Sequence, residues 1–190
     1  MKTNTLRSLS EQNLIDCSKN FGNNGCNGGL MDNAFRYIEK RGIDTENGYP
    51  FEGRDSGRCR FSTYTEINAK LSHYVDLPSG DEEALAEAVA RYGPISIAID
   101  ASHRSLQLYT HGIYSEPKCG NTTATLDHAV LVVGYGTDEI TGMDYWIIKN
   151  SWSATWGEAG YFRMARNKGM CGVALMASYP EIAVHSHSEF

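Results

Sequence analysis

LDHAVLVVGYG (126–136) and YWIIKNSWSATWG (145–157) decide how this 190-residue sequence is read. Residues 129–135 and 145–148 are short branched and aromatic runs, punctuated by Gly134, Gly136 and Gly142, so adjacent strands are predicted. His128 heads the first run and Asn150 closes the second. Strand ends deliver polar side chains to a shared cleft, where an imidazole moves protons and an amide oxygen holds its tautomer. Taken alone, the pair reads more readily as a structural histidine and a structural asparagine.

Composition narrows the classes. Hydrophobic residues make up 41% and charged residues 21%, enough for a core and too apolar for a disordered chain. The length suits one domain or two small lobes sharing a cleft. A formal charge of −6 with no basic patch argues against a nucleic-acid partner. The longest strictly apolar run is AVLVV (129–133), far short of a bilayer span. Five cysteines are widely spread with no CxxC pair, so neither a metal site nor a cofactor is implied.

Along the chain, Ser8-Leu9-Ser10-Glu11 predicts a capping box opening a helix through Cys17. FGNNGCNGG (21–29) is a glycine- and asparagine-rich loop. Leu30, Met31, Ala34, Tyr37 and Ile38 then recur at helical spacing, with Gly42 as the stop. Residues 43–70 read as irregular, and a lobe boundary is placed near Ala69. Ser79-Gly80-Asp81-Glu82 predicts a second capping box before Leu85, Ala88, Val89 and Tyr92, ended by Gly93-Pro94. Ile95, Ile97 and Ile99 alternate with Ser96 and Ala98 as a strand, and strands and turns follow to Tyr179. The division expected is 1–69 helical, 70–182 β-rich and 183–190 a mobile tail containing His185 and His187. Asn121-Thr122-Thr123 is a glycosylation sequon in a polar loop.

Several segments, in order, resemble papain-like cysteine peptidases, and the cathepsin-L-like branch in particular. They are SLSEQNLIDCS (8–18), GCNGGLMDNAF (25–35), YGPISIAIDA (92–101), LDHAVLVVGYG, IKNSW and GMCGVALMASYP (169–180). The likeness runs from about Leu6 to Pro180. It implies an α+β papain-like two-lobe fold, with an incomplete helical left lobe and an antiparallel β-barrel-like right lobe. It also implies peptide-bond hydrolysis by a Cys/His/Asn set. His128 would be the proton-moving imidazole, Asn150 its orienter, and Trp152 the cover over their bond. Gly28 and Gly29 would let an extended substrate approach the backbone, with Leu30 and Asp127 beside it. Met31, Ala101, Leu126 and Met176 would line an apolar pocket for the second residue before the scissile bond. Where this family usually has Gly after that Trp, the chain has Ser153.

The resemblance pairs Cys17 with Cys59 and Cys119 with Cys171, and leaves Cys26 unpaired. It places the nucleophile in a Cys-Gly-Ser-Cys-Trp run some 130–150 residues before the His and Asn, at or before residue 1. No such run occurs in this sequence. The nucleophile, the oxyanion Gln and the partner of Cys26 are expected in a segment the chain does not include. The chain alone is therefore expected to be inactive and poorly folded, with helix 30–41 exposing an apolar face. The alternatives are a pseudopeptidase that binds peptides or protein partners without cleavage, and a structural or storage role. Disulfides imply a lysosomal or secreted protein, although MKTNTLRSLSEQ has no signal-peptide pattern. Expected partners are peptide or protein substrates, a propeptide and cystatin-type inhibitors, with the protein a monomer.

Overall fold

Ser10, not Ser8, opens the first helix. A computed structural model describes residues 6–62 and 69–182, and in it α1 spans Glu11–Cys17, with Ser10 Oγ accepting from Asn13 N at 2.9 Å. Ser8 cannot cap, because its carbonyl accepts from Glu46 N and Leu9 bridges Thr45, so the chain is still extended there. Similarly, Asp81 rather than Ser79 caps α3 (Glu82–Tyr92), its carboxylate accepting from Ala84 N at 2.9 Å. Ser79 Oγ instead donates to Leu175 O. α2 runs Met31–Arg41 and stops at Gly42, whose φ of 81° suits a residue without a Cβ.

The chain divides into two compact units, one of residues up to Val75 with those from Pro180 onward, the other Asp76–Tyr179. The expected tail at 183–190, with His185 and His187, lies outside the described residues.

In the first unit, Tyr37, Ile38, Ile43 and Leu71 are buried, with Leu9, Leu14, Phe21 and Phe35 packed against them. β1 (Leu71–Asp76) lies beside the last residues of β7 (Ala177–Ile182), where Ser72 Oγ donates to Glu181 O. Between α2 and β1 the described residues form neither helix nor strand, only bridges such as Ile43 to Ala69. The Cys17–Cys59 bridge holds this loop, and polar bonds order it further: Gln12 Oε1 accepts from Glu52 N and Gly53 N, and Asp16 accepts from Gln12, Tyr49 and Ser56.

Asp16 gives this unit a pH dependence. Burial pushes its carboxyl up, but the hydrogen bonds from Ser56, Tyr49 and Gln12 outweigh burial and hold it below the ordinary value. A carboxylate depressed on folding stabilises fully above its unfolded pKa of about 3.9, and that stability is lost as pH falls through the folded value. Urea midpoints of this unit should therefore hold steady above roughly pH 5 and drop below it. Asp16→Asn should lower the neutral-pH midpoint and flatten the acid slope. An unchanged slope would assign the acid sensitivity elsewhere.

The second unit is a sheet. β2 (Ile95–Ile99) pairs antiparallel with β4 (His128–Thr137), β4 with β5 (Asp144–Lys149), and β5 with β6 (Tyr161–Ala165). The start of β7 flanks β2 on its other side. β3 (Ile113–Tyr114) joins β6 in parallel, so the expected antiparallel sheet has one parallel pair at its edge. Being central, β2 buries Ala98 as well as its three isoleucines, and the simple alternation read from the sequence does not hold there. A four-residue helix, α4 (Arg104–Gln107), interrupts the stretch read as strands and turns. Ile95, Ile97, Ile99, Leu106, Val132, Trp146, Ile148, Phe162 and Met164 are fully buried, each contributing about 1.5–3 kcal/mol through burial.

Candidate active site

His128 is the first residue of β4, and Asn150 directly follows β5. Antiparallel pairing of these strands, with Leu131 opposite Lys149, brings the two side chains to the same end of the sheet. His128 Nε2 and Asn150 Oδ1 lie 2.8 Å apart. Asn150 Oδ1 also accepts from Ser151 N at 2.8 Å, which settles the amide orientation: a flipped amide would set two donors face to face. Nε2 therefore carries its proton toward Asn150. Nδ1 makes no hydrogen bond among the described residues and is open to a partner.

Trp152 stacks on the imidazole, with centroids 4.9 Å apart and planes 27° off parallel. Trp156 meets Trp152 edge-on at 5.1 Å and is itself held by Phe162 and by an Nε1–H bond to Gln107 O. Trp156 had no role in the sequence reading, although its four-residue spacing from Trp152 was visible. Asn150 is 9% exposed, and its Nδ2 is buried without a partner among the described residues. A buried unmet amide costs about 1–3 kcal/mol, so this end of the sheet is ordered against a stability cost.

Ser153 occupies the position after the tryptophan with φ of 80°, in the left-handed region. Its hydroxyl partly compensates by accepting from Thr155 N at 3.2 Å and meeting Thr155 Oγ1 at 3.0 Å. A Cβ in this conformation costs roughly 1–2 kcal/mol. Ser153→Gly should accordingly raise stability by about 0.5–1 kcal/mol, read as a higher urea midpoint with unchanged slope. A lower midpoint would mean that the hydroxyl bonds outweigh the strain.

Ala101, Leu126 and Asp127 converge just beyond β2. Asp127 N donates to Ile99 O, and Ala101 N donates to Asp127 Oδ1 at 2.8 Å. Leu126 abuts Gly172, where an added Cβ would stand 2.7 Å from Leu126 Cδ2. Met176 precedes β7, its carbonyl accepting from Ala98 N. Gly28, Gly29, Leu30 and Met31 belong to the first unit. Asn23 shapes that loop: its Oδ1 accepts from Leu30 N and its Nδ2 donates to Ser18 Oγ. A Cβ on Gly29 would stand 2.2 Å from Asn23 Oδ1, so a side chain there would displace Asn23 from these bonds. The backbone N–H and C=O of Gly29 enter no hydrogen bond among the described residues, leaving both open to an extended chain.

The cysteines are joined as Cys17–Cys59 and Cys119–Cys171, and Cys26 is free and exposed.

The chain as a whole is similar to known proteins. The family described as papain family cysteine protease matches residues 1–181. Cathepsin L of Sarcophaga peregrina is 60% identical over 183 residues, covering 95% of this chain and 52% of that protein. A cathepsin L-like protein of Caenorhabditis elegans is 59% identical over 181 residues, covering 94% and 52%. Digestive procathepsin L 3 of the Tenebrio molitor larval midgut superposes with a TM-score of 0.89 at 51% identity, covering 95% of this chain and 58% of that one. The chain thus spans about half the length of the curated relatives it matches. It belongs to the papain family of cysteine proteases, in the cathepsin-L-like branch, and has the α+β fold of that family.

Proposed function

We propose that this chain supplies the proton-transfer and substrate-lining part of a cysteine endopeptidase. The carrying observation is the imidazole of His128, tied through Nε2 to Asn150, covered by Trp152, and open at Nδ1. In this reading Nδ1 takes the proton of a thiol, and the resulting thiolate–imidazolium pair attacks the scissile carbonyl. His128 then returns the proton to the leaving amine, and afterwards deprotonates the water that releases the acyl group. Asn150 keeps the ring in register through these transfers, and Trp152 keeps water from their bond.

The thiol is the open part of the scheme. Four cysteines are in disulfides, Cys26 belongs to the glycine- and asparagine-rich loop at 21–29, and the sequence contains no Cys-Gly-Ser-Cys-Trp run. The chain by itself is therefore proposed to be inactive, and a polypeptide joining it to such a run active. Met31, Ala101, Leu126 and Met176 are apolar, favouring a bulky apolar residue second before the cleaved bond. The proposed setting is a lysosomal or secreted monomer, regulated by a propeptide and by cystatin-type inhibitors. Among the described residues no helix is long and apolar enough to cross a membrane. The procathepsin form of its structural relatives supports the propeptide.

The test is a fluorogenic dipeptide substrate and an epoxide thiol label, applied to this chain and to the joined polypeptide. Turnover and labelling by the joined form alone supports the proposal. Labelling at Cys26 with turnover by the chain alone would refute it. Peptide binding without turnover by either form would favour the pseudopeptidase.

A further inference from the structure

We infer that Asn121 is the acceptor of an N-linked glycan. Of the twelve asparagines in the sequence, it alone is followed by a non-proline residue and then Ser or Thr. The structure adds what a motif cannot. Asn121 to Thr125 are five consecutive exposed residues. The Asn121 amide and the Thr123 hydroxyl, the two groups such a site requires, make no hydrogen bond among the described residues. The Thr122 hydroxyl, which the motif does not need, is the one engaged in the turn, contacting Thr125 Oγ1.

The loop is held at both ends, so Asn121 projects from a firm base. Cys119 is bridged to Cys171, and Gly120 N donates to Asp100 Oδ2 at 2.6 Å. At the other end Asp127 N donates to Ile99 O at 3.1 Å. Because Cys171 lies 52 residues after Cys119, the acceptor leaves the ribosome well before that bridge can close. The same exposure means that a glycan covers no buried surface and strains no contact of the folded unit. The transfer joins Asn121 Nδ2 to the anomeric carbon of a lipid-diphosphate-linked oligosaccharide. The carbon–oxygen bond to the diphosphate breaks, the lipid diphosphate leaves, and Nδ2 gives up one proton. The inference rests on the secretory or lysosomal route proposed above, which alone supplies that donor.

The experiment expresses the joined polypeptide in insect cells in two forms, behind a supplied cleavable leader and from its own precursor. Enzymatic deglycosylation that converts a glycosylated asparagine to aspartate, followed by peptide mass mapping, should find Asp at 121. The gel shift on deglycosylation should vanish in Asn121→Gln and Thr123→Ala and persist in Thr123→Ser. Leader-driven protein with both disulfides formed and Asn121 unmodified would overturn the inference while leaving the route standing. Glycan on the leader-driven form, with reduced cysteines in protein from its own precursor, supports the acceptor and overturns the route.

Discussion

Replacing His128 by alanine, in the polypeptide that joins this chain to a Cys-Gly-Ser-Cys-Trp run, is expected to lower kcat/KM by roughly 10²–10⁴-fold. The reason is that His128 performs every proton transfer of the proposed scheme, and among the described residues no other titratable side chain is hydrogen-bonded to the Asn150 amide oxygen. Asn150→Ala should cost less. It removes one hydrogen bond to a ring that becomes charged, worth about 1.5–3 kcal/mol, or roughly 10–150-fold. The proton-transfer atom remains, although the ring is freer to turn on the face of Trp152. One readout separates chemistry from structure: the urea midpoint of the His128 variant should stay near that of the parent. Activity within a few-fold of the parent in His128→Ala would remove this residue from the chemistry.

Much of this site could be read before any coordinates, because its signals are local. The runs at 129–135 and 145–148 predict two strands, and their pairing as β4 and β5 follows from the short glycine-punctuated turn between them. His128 and Asn150 are then neighbours by geometry. What the sequence hid depends on partners far along the chain. The caps fell two residues from their predicted places because Ser8 is held extended by Glu46, and Ser79 is taken by Leu175. The left-handed Ser153 was foreshadowed only as a departure from the family's glycine, since no local pattern reports φ. The ordering of the loop after α2 by Gln12 and Asp16 was equally invisible: neutral and acidic residues on a short helix ordinarily face water.

Trp146 and Glu82 are the strongest case of such a hidden partnership, and Trp146→Ala is the substitution expected to destabilise the second unit most. Trp146 is fully buried in β5, with Tyr135 edge-on at 5.8 Å. Its Nε1–H donates to Glu82 Oε2 at 2.8 Å, across 64 residues. The same carboxylate accepts from Asn167 N at 2.8 Å, Lys168 N at 3.0 Å and Gly169 N at 2.7 Å. Glu82 thus pins the turn after β6 to the first turn of α3, where a negative charge also suits the helix dipole. Deleting the indole should cost about 3–5 kcal/mol through the cavity alone. That is a large share of the roughly 5–15 kcal/mol that stabilises an ordinary domain. Trp146→Phe keeps most of the volume but strips one donor from the carboxylate, and should cost about 1.5–3 kcal/mol. Glu82→Gln keeps the shape and loses the charge on which four donors converge, so it should fall between the two. Urea unfolding followed by circular dichroism gives the order: Ala lowest, then Gln, then Phe, then the parent. If Trp146→Phe matched the parent while Trp146→Ala fell, packing alone would account for Trp146, and the bond to Glu82 would add nothing measurable.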